Sequence, residues 1–177
     1  NYSEYQEFLY NKIKGLKEDF LTPIGYRKIS QILNEEGLKT PRGSVFKNNH
    51  EQLNTIPEGF NNNIIWNIAH SLVTQQLLMY KLSGLSLQIP EEWVSLFAKG
   101  TKPERDITAE EVAAIDAALF SSYEQVVEDT KQGVFSSFRP YTTSTNMELN
   151  DIITAQTFVL FHDGLHIGTV LALAKLV

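Results

Sequence analysis

The stretch Thr157-Phe158-Val159-Leu160-Phe161-His162-Asp163-Gly164-Leu165-His166-Ile167-Gly168-Thr169-Val170-Leu171 decides how the rest of the chain is read. On a helix, residues four apart lie one above the other, so the imidazoles of His162 and His166 reach one point beside it. That is how a helix presents two ligands to a metal. In so apolar a segment an imidazole needs a hydrogen-bond partner, or it stays neutral to avoid desolvation. By itself such a pair reads as two satisfied core histidines. A third ligand from another element is what turns it into a metal site.

His70 supplies it. The Asn61-Asn62-Asn63 run offers N-cap side chains for a helix from about Asn63 to Ser83, ended by Gly84. Trp66, His70, Val73 and Leu77 are spaced by four, three and four, which places His70 on the inward stripe with Trp66 one turn before it. His70, His162 and His166 can therefore converge in the core at one end of a helical bundle. Three neutral imidazoles leave a divalent ion with open positions, the arrangement of a catalytic rather than a structural site. The fourth histidine, His50, lies in a basic stretch and is expected to be exposed. Asp163 is rotated by about 100° from His162 and is not expected to share its metal. Gly164 and Gly168, also four apart, are expected where another helix or the substrate approaches closely, close packing being the default reading.

The flanking elements are read in the same way. Tyr5, Phe8, Leu9, Ile13, Leu16 and Phe20 form a stripe at helical spacing over Tyr2 to Leu21, and Thr22-Pro23 stops that helix. A second helix, about Ile24 to Glu36, closes at Gly37. Pro90 to Phe97 fits a short helix ended by Gly100. Thr108-Ala109-Glu110-Glu111 is a capping box opening a helix to about Gln132, with Gly133 as its stop. Phe138 to Met147 is a Tyr/Thr-rich loop, and Asn150 is expected to cap the last helix, which runs nearly to Val177. No β alternation occurs. The fold class is all-α: an up-down four-helix bundle with short helices in its connections.

The 177 residues suit one domain or one domain with an appendage; 42% are hydrophobic and 20% charged, as in ordinary globular chains. No cysteine is present, which removes disulfides, thiolate ligands and a cysteine nucleophile, so any metal is held by nitrogen and oxygen. No run of about 18 apolar residues exists to span a membrane, and no signal pattern opens the chain. A cytoplasmic location is the expectation. The net charge of −6 argues against nucleic acid as the main partner. Residues 1–50 nevertheless hold eight Lys/Arg against six Asp/Glu, so 51–177 carries the acidic excess.

Gly25-Tyr26-Arg27-Lys28-Ile29-Ser30-Gln31-Ile32-Leu33-Asn34, followed by Glu35-Glu36-Gly37-Leu38-Lys39-Thr40-Pro41-Arg42-Gly43, resembles part of the helical domain of large serine recombinases. The resemblance covers about 25 residues and includes none of that family's catalytic domain, so it implies no recombinase activity. Arg27, Lys28, Lys39, Arg42 and Lys47 are candidates for weak phosphate contact only.

From about residue 51 the chain resembles the DinB-like superfamily of bacterial metal-binding four-helix bundles, which includes the bacillithiol and mycothiol transferases. The matching pieces are Ile56-Pro57-Glu58-Gly59-Phe60 through Trp66 to His70, Lys99 to Arg105, Pro140 to Thr145, and Phe161 to Gly168. The resemblance implies that His70, His162 and His166 are the metal ligands. It also divides the chain into two segments, 1–50 and 51–177, the metal-binding bundle; the first bundle helix comes from 2–21 or from 24–36, and the greater length of 2–21 favours it.

Two classes of function follow. One is an enzyme in which a divalent ion (Zn, Ni or Fe) activates the thiol of a low-molecular-weight co-substrate for transfer, or water for hydrolysis. Trp66, Tyr141 and Thr143 are then the candidates for binding a small-molecule substrate, and the protein itself supplies no nucleophile. The other is a non-enzymatic metal-binding or stress-response module. A bundle whose N-terminal arm binds nucleic acid is the weakest reading. A homodimer is expected, since a substituted first helix leaves apolar surface to be covered.

Overall fold

A computed structural model describes residues 3–18, 32, 33, 35–38 and 49–177. The helix expected over 24–36, apart from its last turn, and the basic, recombinase-like stretch with Arg27, Lys28, Lys39, Arg42 and Lys47 lie outside the described residues. The chain divides into two compact units, Asn1–Gln52 and Leu53–Val177. It is all-α, with one two-stranded ribbon among the described residues.

In the first unit, α1 spans Glu4–Glu18. Ser3 opens it as half of a reciprocal cap: its hydroxyl accepts from Gln6 N at 3.2 Å, and Gln6 Oε1 accepts from Ser3 N at 2.8 Å. A later helical turn ends at Gly37, closed by a bond from Leu38 N to Leu33 O at 2.9 Å. Lys12 Nζ lies 2.6 Å from Glu36 Oε2 and ties this turn to α1.

The second unit begins within α2, Asn49–Asn54. Asn54 then acts as a staple. Its amide donates to Ile107 O at 3.0 Å and accepts from Ile107 N at 2.8 Å, while its own carbonyl accepts from Asn63 Nδ2 at 3.0 Å. Asn63 also caps α3, Ile64–Gln76, by accepting from Trp66 N at 2.9 Å, so one asparagine fixes both where the helix starts and what precedes it.

α3 does not end at Gln76. It widens into a π turn over Leu77–Lys81, with Leu82 N bonding to Leu77 O at 3.3 Å. Gly84, at φ 75°, then stops it, with Leu85 N returning to Tyr80 O at 2.9 Å. Only glycine enters that left-handed conformation at little cost, and Gly133 ends α5 in the same way at φ 69°.

The remaining helices are α4 (Glu91–Phe97), α5 (Ala109–Lys131) and α6 (Ile152–Leu173). The capping box at α5 forms as the sequence predicts, with Thr108 Oγ1 accepting from Glu111 N and Glu111 Oε2 accepting from Thr108 N. At α6 the expected cap is displaced by one residue: Asp151, not Asn150, accepts from Thr154 N at 2.7 Å. A carboxylate is the stronger acceptor at the positive end of a helix, and Asn150 contributes only its backbone N–H.

The loop expected over Phe138–Met147 contains a small hairpin, Tyr141–Thr142 (β1) against Glu148–Leu149 (β2). Asn146, at φ 60°, makes its turn, and the Thr143 hydroxyl accepts from Met147 N inside it. Leu149 pins the ribbon by burying itself completely beside Tyr80, Val126 and Phe158. Burial of one such side chain is worth about 1.5–3 kcal/mol. A second cluster gathers Trp66, Leu72, Val73, Trp93, Phe97 and Ile115 where α3, α4 and α5 meet. α3 packs most extensively on α6, and the histidines lie between them. Among the described residues no helix is long and apolar enough to cross a membrane.

Candidate metal centre

His70 lies on the buried side of α3, and His162 and His166 lie one turn apart on α6. Their ring centroids are 4.5 to 5.1 Å apart, and each offers a nitrogen within 4.8 Å of the others. The convergence expected from spacing alone is thus present in the fold.

Two of the three rings are oriented by groups that determine where the proton sits. His70 Nδ1 is 2.6 Å from Phe97 O at the end of α4. A carbonyl only accepts, so Nδ1 carries the proton and Nε2 keeps its lone pair. His166 Nδ1 is 2.8 Å from Asn67 Oδ1. The Asn67 amide cannot turn around, because its Nδ2 donates to Asn63 O at 2.8 Å, so Oδ1 faces the ring as an acceptor and leaves His166 Nε2 free. His70 is held on its other side by Trp66, whose ring stacks on it at 4.6 Å and 8° while its indole N–H donates to Thr101 Oγ1.

Burial keeps the cluster neutral. It lowers the pKa of His70, and that of His162 and His166 to about 4, helped at His162 by the facing His166 and His70 and at His166 by His70. Near pH 7 all three imidazoles therefore present lone pairs, as metal ligands must. His162 Nδ1 is buried with no hydrogen-bond partner, an orphan that a metal bond would satisfy. The donor set and the orphaned nitrogen fit a divalent ion of the borderline class that three imidazoles suit.

A cleft of about 390 Å³ opens onto His70 and His162. Tyr141 and Thr143 line it, as do Thr74, Phe158, Lys81, Lys99 and Arg139. Trp66 does not: it is buried against the far side of His70. His166 faces a different, largely apolar groove of about 460 Å³ between α3, α5 and α6. Gly164 borders that groove, and a Cβ at Gly164 or Gly168 would meet nothing within 4 Å, so the close packing expected of the two glycines is absent. Asp163 stays outside the histidine cluster. The Tyr123 hydroxyl donates to its Oδ2, and burial pushes both groups' pKa values up.

Sequence reading missed Asn67 and the Phe97 carbonyl as orienting groups, and the three cations of the cleft. Asn67 had a signal: Asn63, Asn67 and His70 stand four and three apart as polar residues on an otherwise apolar helix face. The Phe97 carbonyl had none, since a backbone acceptor carries no residue-type mark.

No curated protein matches the chain. A family model described as the DinB superfamily matches residues 47–170, which takes in the three histidines, the cleft and the hairpin above it. With more than two thirds of its length so matched, the chain belongs to the DinB superfamily.

Proposed function

We propose that the protein is a divalent-metal-dependent enzyme acting on a small molecule, a thiol S-transferase or a hydrolase, with His70, His162 and His166 as ligands. The observation that carries this reading is the convergence of three neutral imidazole donors, two of which, His70 and His162, open onto the cleft. A structural site would be closed by a fourth ligand, and among the described residues no further His, Asp or Glu joins the cluster. When bound, the ion supplies a positive charge that favours the deprotonated form of a thiol or of water.

The chain's own residues do the rest. Phe97 O and Asn67 Oδ1 hold protons on the outer nitrogens of His70 and His166 and aim the inner ones. Phe158 and Leu78 give the cleft an apolar wall, which excludes water and strengthens attraction inside it. Tyr141 and Thr143 both line the cleft, and of the two Tyr141 is the one free to orient the substrate. The Tyr141 ring is well exposed, whereas Thr143 is buried and its hydroxyl is engaged in the turn.

Titration of the cobalt-substituted protein with bacillithiol, mycothiol or glutathione tests the reading. A sulfur-to-metal charge-transfer band, lost in His166→Ala, identifies the thiol branch. Metal-loaded protein that shows no band with any thiol and hydrolyses no ester or amide would overturn the enzymatic assignment.

A further inference from the structure

The cleft over the histidines is electrically unlike the surface around it. Residues 51–177 contain seven Lys/Arg and fifteen Asp/Glu. Three of those seven cations, Lys81, Lys99 and Arg139, line the cleft, and none of the fifteen carboxylates does. None of the three takes part in an ion pair among the described residues. In an acidic chain, chance placement would put carboxylates there about twice as often as cations, and unpaired like charges side by side repel one another.

The three are also held by separate, well-anchored elements. Lys81 closes the π turn. Lys99 follows α4, whose last residue, Phe97, bonds His70. Arg139 is fastened to the end of α3 by its own backbone, with its N–H donating to Leu82 O at 2.7 Å, and nearby the Ser137 hydroxyl donates to Ser83 O at 2.9 Å. Three anchored backbones bring the three side chains to one opening, while ordering each long side chain on a ligand still costs conformational entropy.

We propose that the cleft selects a small polyanion, carrying two or more carboxylates or a phosphate, whose charged end meets Lys81, Lys99 and Arg139 while its reactive end reaches the histidines. The proposal deepens the metal-enzyme reading and rests on it for the reactive end only; the anion subsite stands on the cleft itself. Guanidinium and ammonium groups together suit carboxylate or phosphate oxygens, the former by paired N–H donors and the latter as point charges.

The test compares two thiols of one chemistry and different charge. Mercaptosuccinate and 2-mercaptoethanol are titrated into cobalt-substituted full-length protein, wild type and the Lys81→Ala/Lys99→Ala/Arg139→Ala variant, following the charge-transfer band. Mercaptosuccinate is expected to bind wild type at least about tenfold more tightly, with the preference shrinking at high salt and vanishing in the variant. Equal affinities in wild type, or a preference that survives in the variant, would overturn the proposal. All three side chains are exposed, so the variant is expected to fold, which circular dichroism checks.

A second arm uses metal-free protein and follows amide NMR shifts with succinate and with inorganic phosphate. Shifts around Lys81, Lys99 and Arg139 with either anion, absent in the variant, support the subsite even if cobalt does not bind, and the stronger of the two anions identifies the charged group. No response to either anion overturns it whatever the metal does.

Discussion

Asn67 Oδ1 accepts a 2.8 Å hydrogen bond from His166 Nδ1, joining the first long helix of the second unit to the last through the rim of the histidine cluster. The bond places the proton on the outer nitrogen and so presents the inner one. Asn67→Ala is expected to lower metal affinity by about 10- to 100-fold, as loss of a ligand's orienting partner usually does. Asn67→Asp keeps an acceptor for His166 but loses the donor to Asn63 O, so its affinity is expected to fall between those of wild type and Asn67→Ala. Competition with a chromogenic chelator reads both, and unchanged affinity in Asn67→Ala would remove the orienting role.

Removing a ligand should be more severe. His70→Ala, His162→Ala and His166→Ala are each expected to abolish stoichiometric metal binding, since a three-nitrogen site retains only two. His50→Ala is expected to leave it intact. Elemental analysis of protein purified without a nickel column checks this, and full occupancy in any of the first three variants would refute the ligand assignment.

Away from the metal, the Tyr80 hydroxyl donates to Asp129 Oδ2 at 2.6 Å, and both residues are buried. Burial and this carboxylate push the Tyr80 pKa up. Tyr80→Phe leaves Asp129 with Gln125 as its remaining side-chain donor, at 2.8 Å. It is expected to destabilise the protein by about 1–3 kcal/mol in urea unfolding. A change within a few tenths of a kcal/mol would mean that water replaces the lost donor.

At the start of α5, Glu111 receives both Arg105 guanidinium nitrogens, at 2.6 and 2.8 Å, and the Thr108 N–H. Its pKa falls to about 2, chiefly through Arg105. A depressed folded-state value means the contribution is present in full above the ordinary glutamate pKa of about 4.3 and fades as pH falls toward about 2. Glu111→Gln should therefore lower the unfolding midpoint at pH 7, and the gap from wild type should narrow on going to pH 3. A gap that stays constant would assign the effect to packing rather than charge.

Helix stops and starts were legible where one residue type dominates the local energetics. Asn63, Gly84, Thr108 with Glu111, and Gly133 all act as their chemistry dictates. The Asn150 expectation failed by one residue because two capable side chains stood side by side and the carboxylate of Asp151 is the stronger acceptor at the helix start. The histidine convergence was readable because helical periodicity turns spacing into direction. The roles of Trp66 and the cleft cations were not, since they depend on which side of His70 is open, and that is fixed by α4 and by the loop carrying Arg139.

The π turn at Leu77–Lys81 gives this part of the chain one residue of slack in its length. A π turn holds one residue more than the α turn it replaces. A chain shorter by a single residue between Gln76 and Leu82 could close that turn as ordinary α-helix, with no backbone bond lost. Because the wide turn and the α turn each complete one rotation, everything beyond the deletion would keep about its present direction relative to His70. The segment after the turn would go on facing Asp129 and the cleft, so a missing codon here would be absorbed while the histidines and the charges beside them stayed together.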